Sequence, residues 1–125
     1  MKYLLALSLF LSVAFSQGVN DKNFKEKING GIVVAVFTSE WQEAEFDKNI
    51  LKGVDGYQDA EIIYVESEQA KKVTKKLRFR NFPSMALFYD GSKKETWKAD
   101  MDGELDCSSK EVKSAIDDVL AEDVF

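Results

Sequence analysis

Three stretches of the chain carry side chains with a capacity for chemistry. The first, Ser39-Glu40-Trp41-Gln42-Glu43-Ala44-Glu45-Phe46-Asp47, directly follows the apolar run GIVVAVFT, the pattern of a strand turning into a helix. Its carboxylates at 40, 43, 45 and 47 would suit a basic client or a hard cation such as Ca²⁺. Acids in the first turn of a helix are also stabilised by its dipole, each by about 0.3–1 kcal/mol, and that accounts for them without a ligand. The second stretch, Asp100-Met101-Asp102-Gly103-Glu104-Leu105-Asp106, fails as an EF-hand loop. With Gly103 at the glycine position, Lys98 falls on the first ligand and Ser109 on the bidentate acid. It reads as an acidic turn, and no metal is expected.

The third is Cys107, the only cysteine in the chain, so no internal disulfide can form. It stands just before Ser108-Ser109-Lys110-Glu111, a Ser-x-x-Glu helix start. A helix N-terminus lowers a thiol pKa, whereas Asp106 and the other nearby acids oppose the thiolate. Three roles follow for it: an inert thiol, an intermolecular disulfide, or a single redox thiol. The chain has no histidine, which removes the usual general base and imidazole ligand.

The elements that must position these residues follow from periodicity. Asn20 or Asp21 is predicted to cap a short helix through Lys27, with Phe24 and Ile28 on its inner face. Ile32 to Thr38 is a β-branched run, the signature of a strand covered on both faces. A helix is predicted from Glu40 to Val54, a second central strand from Glu61 to Glu66, and a helix from Ser67 to Lys76. A strand from Ser84 to Tyr89 follows, then a hairpin turn at Asp90-Gly91 and a last strand from Glu95 to Lys98. Val112, Ala115, Ile116, Val119 and Leu120 recur at helical spacing in the final helix. This order predicts an α/β fold with a mixed central sheet and helices on both faces.

Composition narrows the function. The N-terminal MKYLLALSLFLSVAFSQ has one lysine, an apolar run from Tyr3 to Phe15 and small residues at Ala14 and Ser16, the layout of a secretory signal. As a helix that run reaches about 20 Å, short of the hydrocarbon core, so cleavage after Ser16 is expected rather than a membrane anchor. Residues 17–125 then form one domain, and loss of Lys2 takes the formal charge from −5 to −6. An acidic protein is a poor partner for nucleic acid or anionic membrane, and membrane contact is expected only if the leader is retained. The basic stretch Lys71, Lys72, Lys75, Lys76, Arg78, Arg80 reads as the solvated face of a helix.

At this point the residues resemble the thioredoxin fold, including the domains of protein disulfide isomerases, from about Asn20 to Glu122. VVAVFTSEW is similar to the family's VxVxFxAxW lead-in to the active site. Tyr57-Gln58 before EIIYVES looks like the central segment. RFRNFPSMALFYDG is similar to xIRGxPTxxxFxxG, whose proline is cis beside the active site. The resemblance puts Pro83, the only proline, at that position and assigns the four Cys-x-x-Cys positions to Gln42, Glu43, Ala44 and Glu45. Without the two thiols, dithiol exchange is not possible at this site. Val36 stands where redox-active members commonly carry a buried acid.

The family surface around the cis-proline also binds extended peptide without needing a thiol. The resemblance therefore implies a redox-inactive, non-enzymatic domain that binds a protein or peptide client through Trp41, Phe82, Pro83 and Ser84, with no cofactor. A single-thiol redox protein acting through Cys107, or a constitutive subunit of a larger assembly, are the alternatives. The expected location is the secretory pathway, whether exported, vesicular or in the ER lumen. The terminal AEDVF is not a KDEL-type retrieval signal, so ER residence would need a partner.

Overall fold

The seven consecutive apolar and β-branched residues of β1 (Ile32–Thr38) are all buried, and they set the architecture. The computed structural model describes residues 19–39, 48–54 and 56–124. Along β1 the side chains alternate between two cores. Ile32, Val34 and Val36 join Ile50, Leu51, Val54, Val112, Ile116 and Val119 on one face. Val33, Ala35 and Phe37 join Phe24, Ile28, Phe79 and Phe88 on the other. An unbroken apolar run is what a strand with both faces covered requires.

Four strands form the sheet, in the order β2-β1-β3-β4. β2 (Ala60–Glu66) runs parallel to β1, with Val34 opposite Ile62. β3 (Ser84–Tyr89) runs antiparallel on the other side, with Val34 opposite Leu87 and Phe37 opposite Ser84. β4 (Ser92–Trp97) returns antiparallel to β3. Their connection at Asp90 and Gly91 has φ of 49° and 84°, the two positive values a primed hairpin turn demands. The Asp90 carboxylate accepts the Gly31 N–H at 2.9 Å, and the Gly31 carbonyl accepts the Asp90 N–H at 3.0 Å, pinning the hairpin to the start of β1.

Several elements depart from the sequence expectations. β2, expected to be central, is at the edge of the described sheet. An apolar run reports that both faces are covered; it carries no information on whether both lateral edges are paired. β4 starts at Ser92 rather than Glu95, because the tight turn lets pairing begin at once. The predicted long helix is represented by a 3-10 helix over Lys48–Val54, and its remainder, 40–47, lies outside the described residues. Asn49 and Gly53 are weak helix formers, and Gly53 is pressed against the final helix, which favours the tighter winding.

Helix α1 (Phe24–Ile28) begins later than predicted. The Asn20 carboxamide oxygen accepts the N–H groups of Lys22 and Asn23, at 2.9 and 3.0 Å, and so forms a turn instead of a cap. Asp21 acts at a distance: its carboxylate accepts the Lys72 and Val73 N–H groups, at 3.2 and 3.0 Å. It thereby caps α2 (Lys71–Lys76), whose own leading residue Ala70 has no capping side chain. Residues 67–70, predicted helical, form turns before that cap. The final helix α3 (Ser109–Val124) starts as predicted, with Ser108 Oγ accepting the Glu111 N–H at 3.3 Å. Its Val112, Ile116 and Val119 are buried.

Candidate functional site

The antiparallel register fixes where the candidate face lies. Because Phe37 pairs with Ser84, the residues just before β3 sit at the C-terminal end of β1. There the Phe82-Pro83 bond is cis and both side chains are half-buried. Three tethers hold this end together. The Thr38 carbonyl accepts the Ser67 N–H at 2.8 Å, joining β1 to the segment after β2. Ser84 Oγ donates to the Asn81 carbonyl at 2.8 Å and accepts the Ala99 N–H at 3.0 Å. Gly103, at φ 78°, lies so close to the Phe82 carbonyl that an added Cβ would stand 3.1 Å from that oxygen.

Ser84 itself is fully buried. It was expected among the partner contacts, but its hydroxyl is engaged on both sides and its side chain faces no solvent; it braces the Phe82-Pro83 turn from beneath. Trp41, Gln42, Glu43, Ala44 and Glu45 lie outside the described residues. Of the expected surface, Phe82 and Pro83 are therefore the described part. Val36 is completely buried in the apolar core.

The acidic stretch after β4 closes on itself. The Asp100 carboxylate accepts the N–H groups of Asp102 and Glu104, both at 2.9 Å, and the Asp100 N–H donates to the Glu104 carbonyl at 2.9 Å. This is the hydrogen bonding of a turn. Among the described residues no group of three His, Cys, Asp or Glu side chains is arranged to hold a metal ion.

Cys107 is half-buried against the α3 side of the sheet, its thiol donating to the Ser108 carbonyl at 3.6 Å. Phe82 packs against the core on the opposite face, so the two residues belong to different layers. Burial first, then the Glu111 and Asp106 carboxylates, push the Cys107 thiol up to about 12.

Two features had no sequence signal of their own. The Tyr57 hydroxyl donates to the Asp117 carboxylate, which also takes Lys113 Nζ at 3.2 Å, while that ammonium stands 5.9 Å from the Tyr57 ring centre. The hydrogen bond from Tyr57 chiefly holds the Asp117 carboxyl below its usual range. The second feature is a groove of about 610 Å³ between α2 and Phe82. Its cationic side chains come from Lys71, Lys75, Arg78 and Arg80, and Phe79 and Phe82 line its apolar part. The residues are in the sequence, but their convergence depends on how the chain leaves α2.

No protein-family model and no curated protein matches the chain. Solved structures do resemble it. A designed protein aligns with a TM-score of 0.58 at 16% identity, over 79% of this chain and 90% of that one. A chain from a structural study of thiol resolution in a yeast mitochondrial 1-Cys peroxiredoxin by glutathione and thioredoxin systems aligns with a TM-score of 0.59. It too is 16% identical, over 79% of this chain and 90% of that one. At that identity the likeness speaks to architecture, and with the mixed sheet covered on both faces it shows that this chain has the thioredoxin-like α/β fold.

Proposed function

We propose that the protein is a redox-inactive thioredoxin-like module of the secretory pathway that binds an extended segment of a partner protein through the face around Phe82 and Pro83. The observation that carries this reading is a braced apolar surface at the end of β1, in a chain with too few thiols for dithiol exchange. Phe82 borders the groove, and the two hydrogen bonds of buried Ser84 hold the adjoining turn, with Gly103 close against the Phe82 carbonyl. With one cysteine, the sequence cannot form an intramolecular disulfide to pass to a client. Extended peptides are commonly bound by strand-like pairing with alternate side chains set in pockets, and Phe82, lining the groove, offers an apolar contact for one such side chain.

The stretch from Trp41 to Glu45 comes next along the chain after β1 and is included in the proposed face on that ground. The leader supports export, with residues 17–125 as the mature domain. Raised protonation of Cys107 runs against the single-thiol alternative, since the thiolate is the reactive form.

Three measurements test the proposal. Fluorescence anisotropy of a labelled unfolded polypeptide should show binding by the purified protein that Phe82→Ala weakens about tenfold without a matching loss of folded structure. Disulfide reductase activity should not exceed that of Cys107→Ser. Turnover seen in the parent and absent from Cys107→Ser would sink the redox-inactive reading, and binding indifferent to Phe82→Ala would remove the face. Sequencing the N-terminus of exported protein should begin at Gln17.

A further inference from the structure

The groove beside Phe82 has a charge opposite to that of the rest of the molecule. The chain carries a formal charge of −5. Four cations nevertheless converge on this one space of about 610 Å³, opposed within it by the single carboxylate of Glu68. Two of them, Lys71 and Lys75, come from α2, while Arg78 and Arg80 come from the segment leading to Phe82. Among the described residues, no ion pair joins any of the four to a carboxylate. The lysine-rich stretch is thus more than a solvated helix face: its cations surround an apolar floor of buried Phe79 and half-buried Phe82.

A second observation concerns how the groove is made. α2 ends in a paired closing motif: the Phe79 N–H donates to the Thr74 carbonyl at 3.1 Å and the Arg78 N–H to the Lys75 carbonyl at 3.0 Å. That motif places one residue in the left-handed region, where glycine is favoured because it has no Cβ. Here the residue is Arg78, with φ of 61°. A strained backbone position that keeps a long cationic side chain, at the rim of a groove where no carboxylate among the described residues pairs with it, is the kind of outlier that functional sites retain.

We infer that this groove selects acidic segments of the partner, with an aromatic or aliphatic side chain set on Phe79 and Phe82 and flanking carboxylates facing Lys71, Lys75, Arg78 and Arg80. The inference rests on the proposed peptide-binding role of the Phe82 face and adds the chemistry of what is bound. Charge complementarity of this kind steers encounter and excludes basic segments more than it adds raw affinity. On an acidic protein it also confines acidic partners to one place, since the remainder of the surface repels them.

The test compares two labelled peptides by anisotropy against the purified protein: one of Asp, Glu and Ser with a single central Phe, and one with Asn, Gln and Ser in place of the acids. The acidic peptide should bind more tightly, and raising the salt should weaken it selectively. Lys75→Gln and Arg80→Gln should each reduce its affinity about two- to fivefold, the effect of one exposed charge pair, and leave the neutral peptide unaffected. Arg78→Gly should lower acidic-peptide affinity while keeping a Tm no lower than that of the parent, which separates loss of the charge from loss of the fold. Equal binding of both peptides, each weakened by Phe82→Ala, would overturn acid selectivity while leaving the peptide-binding face in place. Failure of both peptides to bind would overturn that face as well. Tighter binding of anionic vesicles or of single-stranded RNA than of the acidic peptide would refute a protein segment as the occupant.

Discussion

Replacing Gly53 with alanine isolates the contact that sets the 3-10 helix against α3. Gly53 is buried and its φ lies outside the left-handed region, so backbone preference alone favours alanine. Restricting the unfolded chain at a compatible position stabilises by about 0.4–1 kcal/mol. Space decides the opposite sign. An added Cβ would overlap the Ser109 carbonyl oxygen and stand 3.1 Å from both the Lys113 nitrogen and Val112 Cβ. Two of these atoms are backbone of a helix and the third is on a fully buried side chain, so none can swing away. Relief requires the 3-10 helix and α3 to separate, loosening Ile50, Leu51 and Val54 against Val112 and Ile116. Overpacking of this kind costs about 1–3 kcal/mol, which leaves a net loss centred on about 1.3 kcal/mol, and at most about 2.6, after the backbone gain.

For a domain of this size each kcal/mol moves Tm by about 4–8 °C. Urea denaturation followed by circular dichroism should show a lower midpoint for Gly53→Ala with an unchanged slope. Gly56→Ala is the matched control. Nothing lies within 4 Å of its added Cβ and its φ is likewise compatible, so it should be neutral or stabilising by up to about 1 kcal/mol. If Gly53→Ala matches Gly56→Ala, the close approach of the 3-10 helix to α3 is wrong.

Other consequences follow from the polar contacts. Ser84→Ala leaves the buried Ala99 N–H without its acceptor and should cost about 1–3 kcal/mol, with faster amide exchange at Ala99; a change in stability under about 0.5 kcal/mol would contradict the bracing role. The Cys107 thiol is raised from its ordinary 9.0 to about 12, so its contribution to stability is complete below pH 9 and lost as pH rises toward about 12. At pH 8 maleimide should label it more slowly in the folded protein than in urea, and Cys107→Ser should flatten the alkaline limb of the stability profile. Asp117 behaves in the opposite sense: its lowered carboxyl stabilises the fold above the ordinary 3.8, and that contribution disappears as pH falls through the folded value. An NMR titration should find its midpoint below that of a free aspartate, moving back up in Tyr57→Phe.

Much of the fold was legible because each element repeats its pattern locally. The run Ile32 to Thr38 has the pattern of a doubly covered strand, Asp90-Gly91 that of a tight hairpin, and Val112, Ile116 and Val119 the spacing of one helix face, and each formed as its pattern predicts. The candidate site was legible in part. The missing thiols and the position of Pro83 are properties of the chain as written. The burial of Ser84 was not, because a hydroxyl at the start of a strand looks the same whether it faces a client or the Ala99 N–H fifteen residues away.

The sequence by itself determined the strand and helix faces and the single cysteine, since these depend on residue type and short spacing. Tertiary structure alone decided what depends on distant pairs. It placed β2 at the edge of the described sheet, gave α2 its cap from Asp21, wound Lys48–Val54 as a 3-10 helix under α3, and turned a basic stretch into a groove beside Phe82. Periodicity encodes which face of an element is apolar; which neighbour covers that face, and which polar group meets which, is settled only when chain segments far apart in sequence pack together.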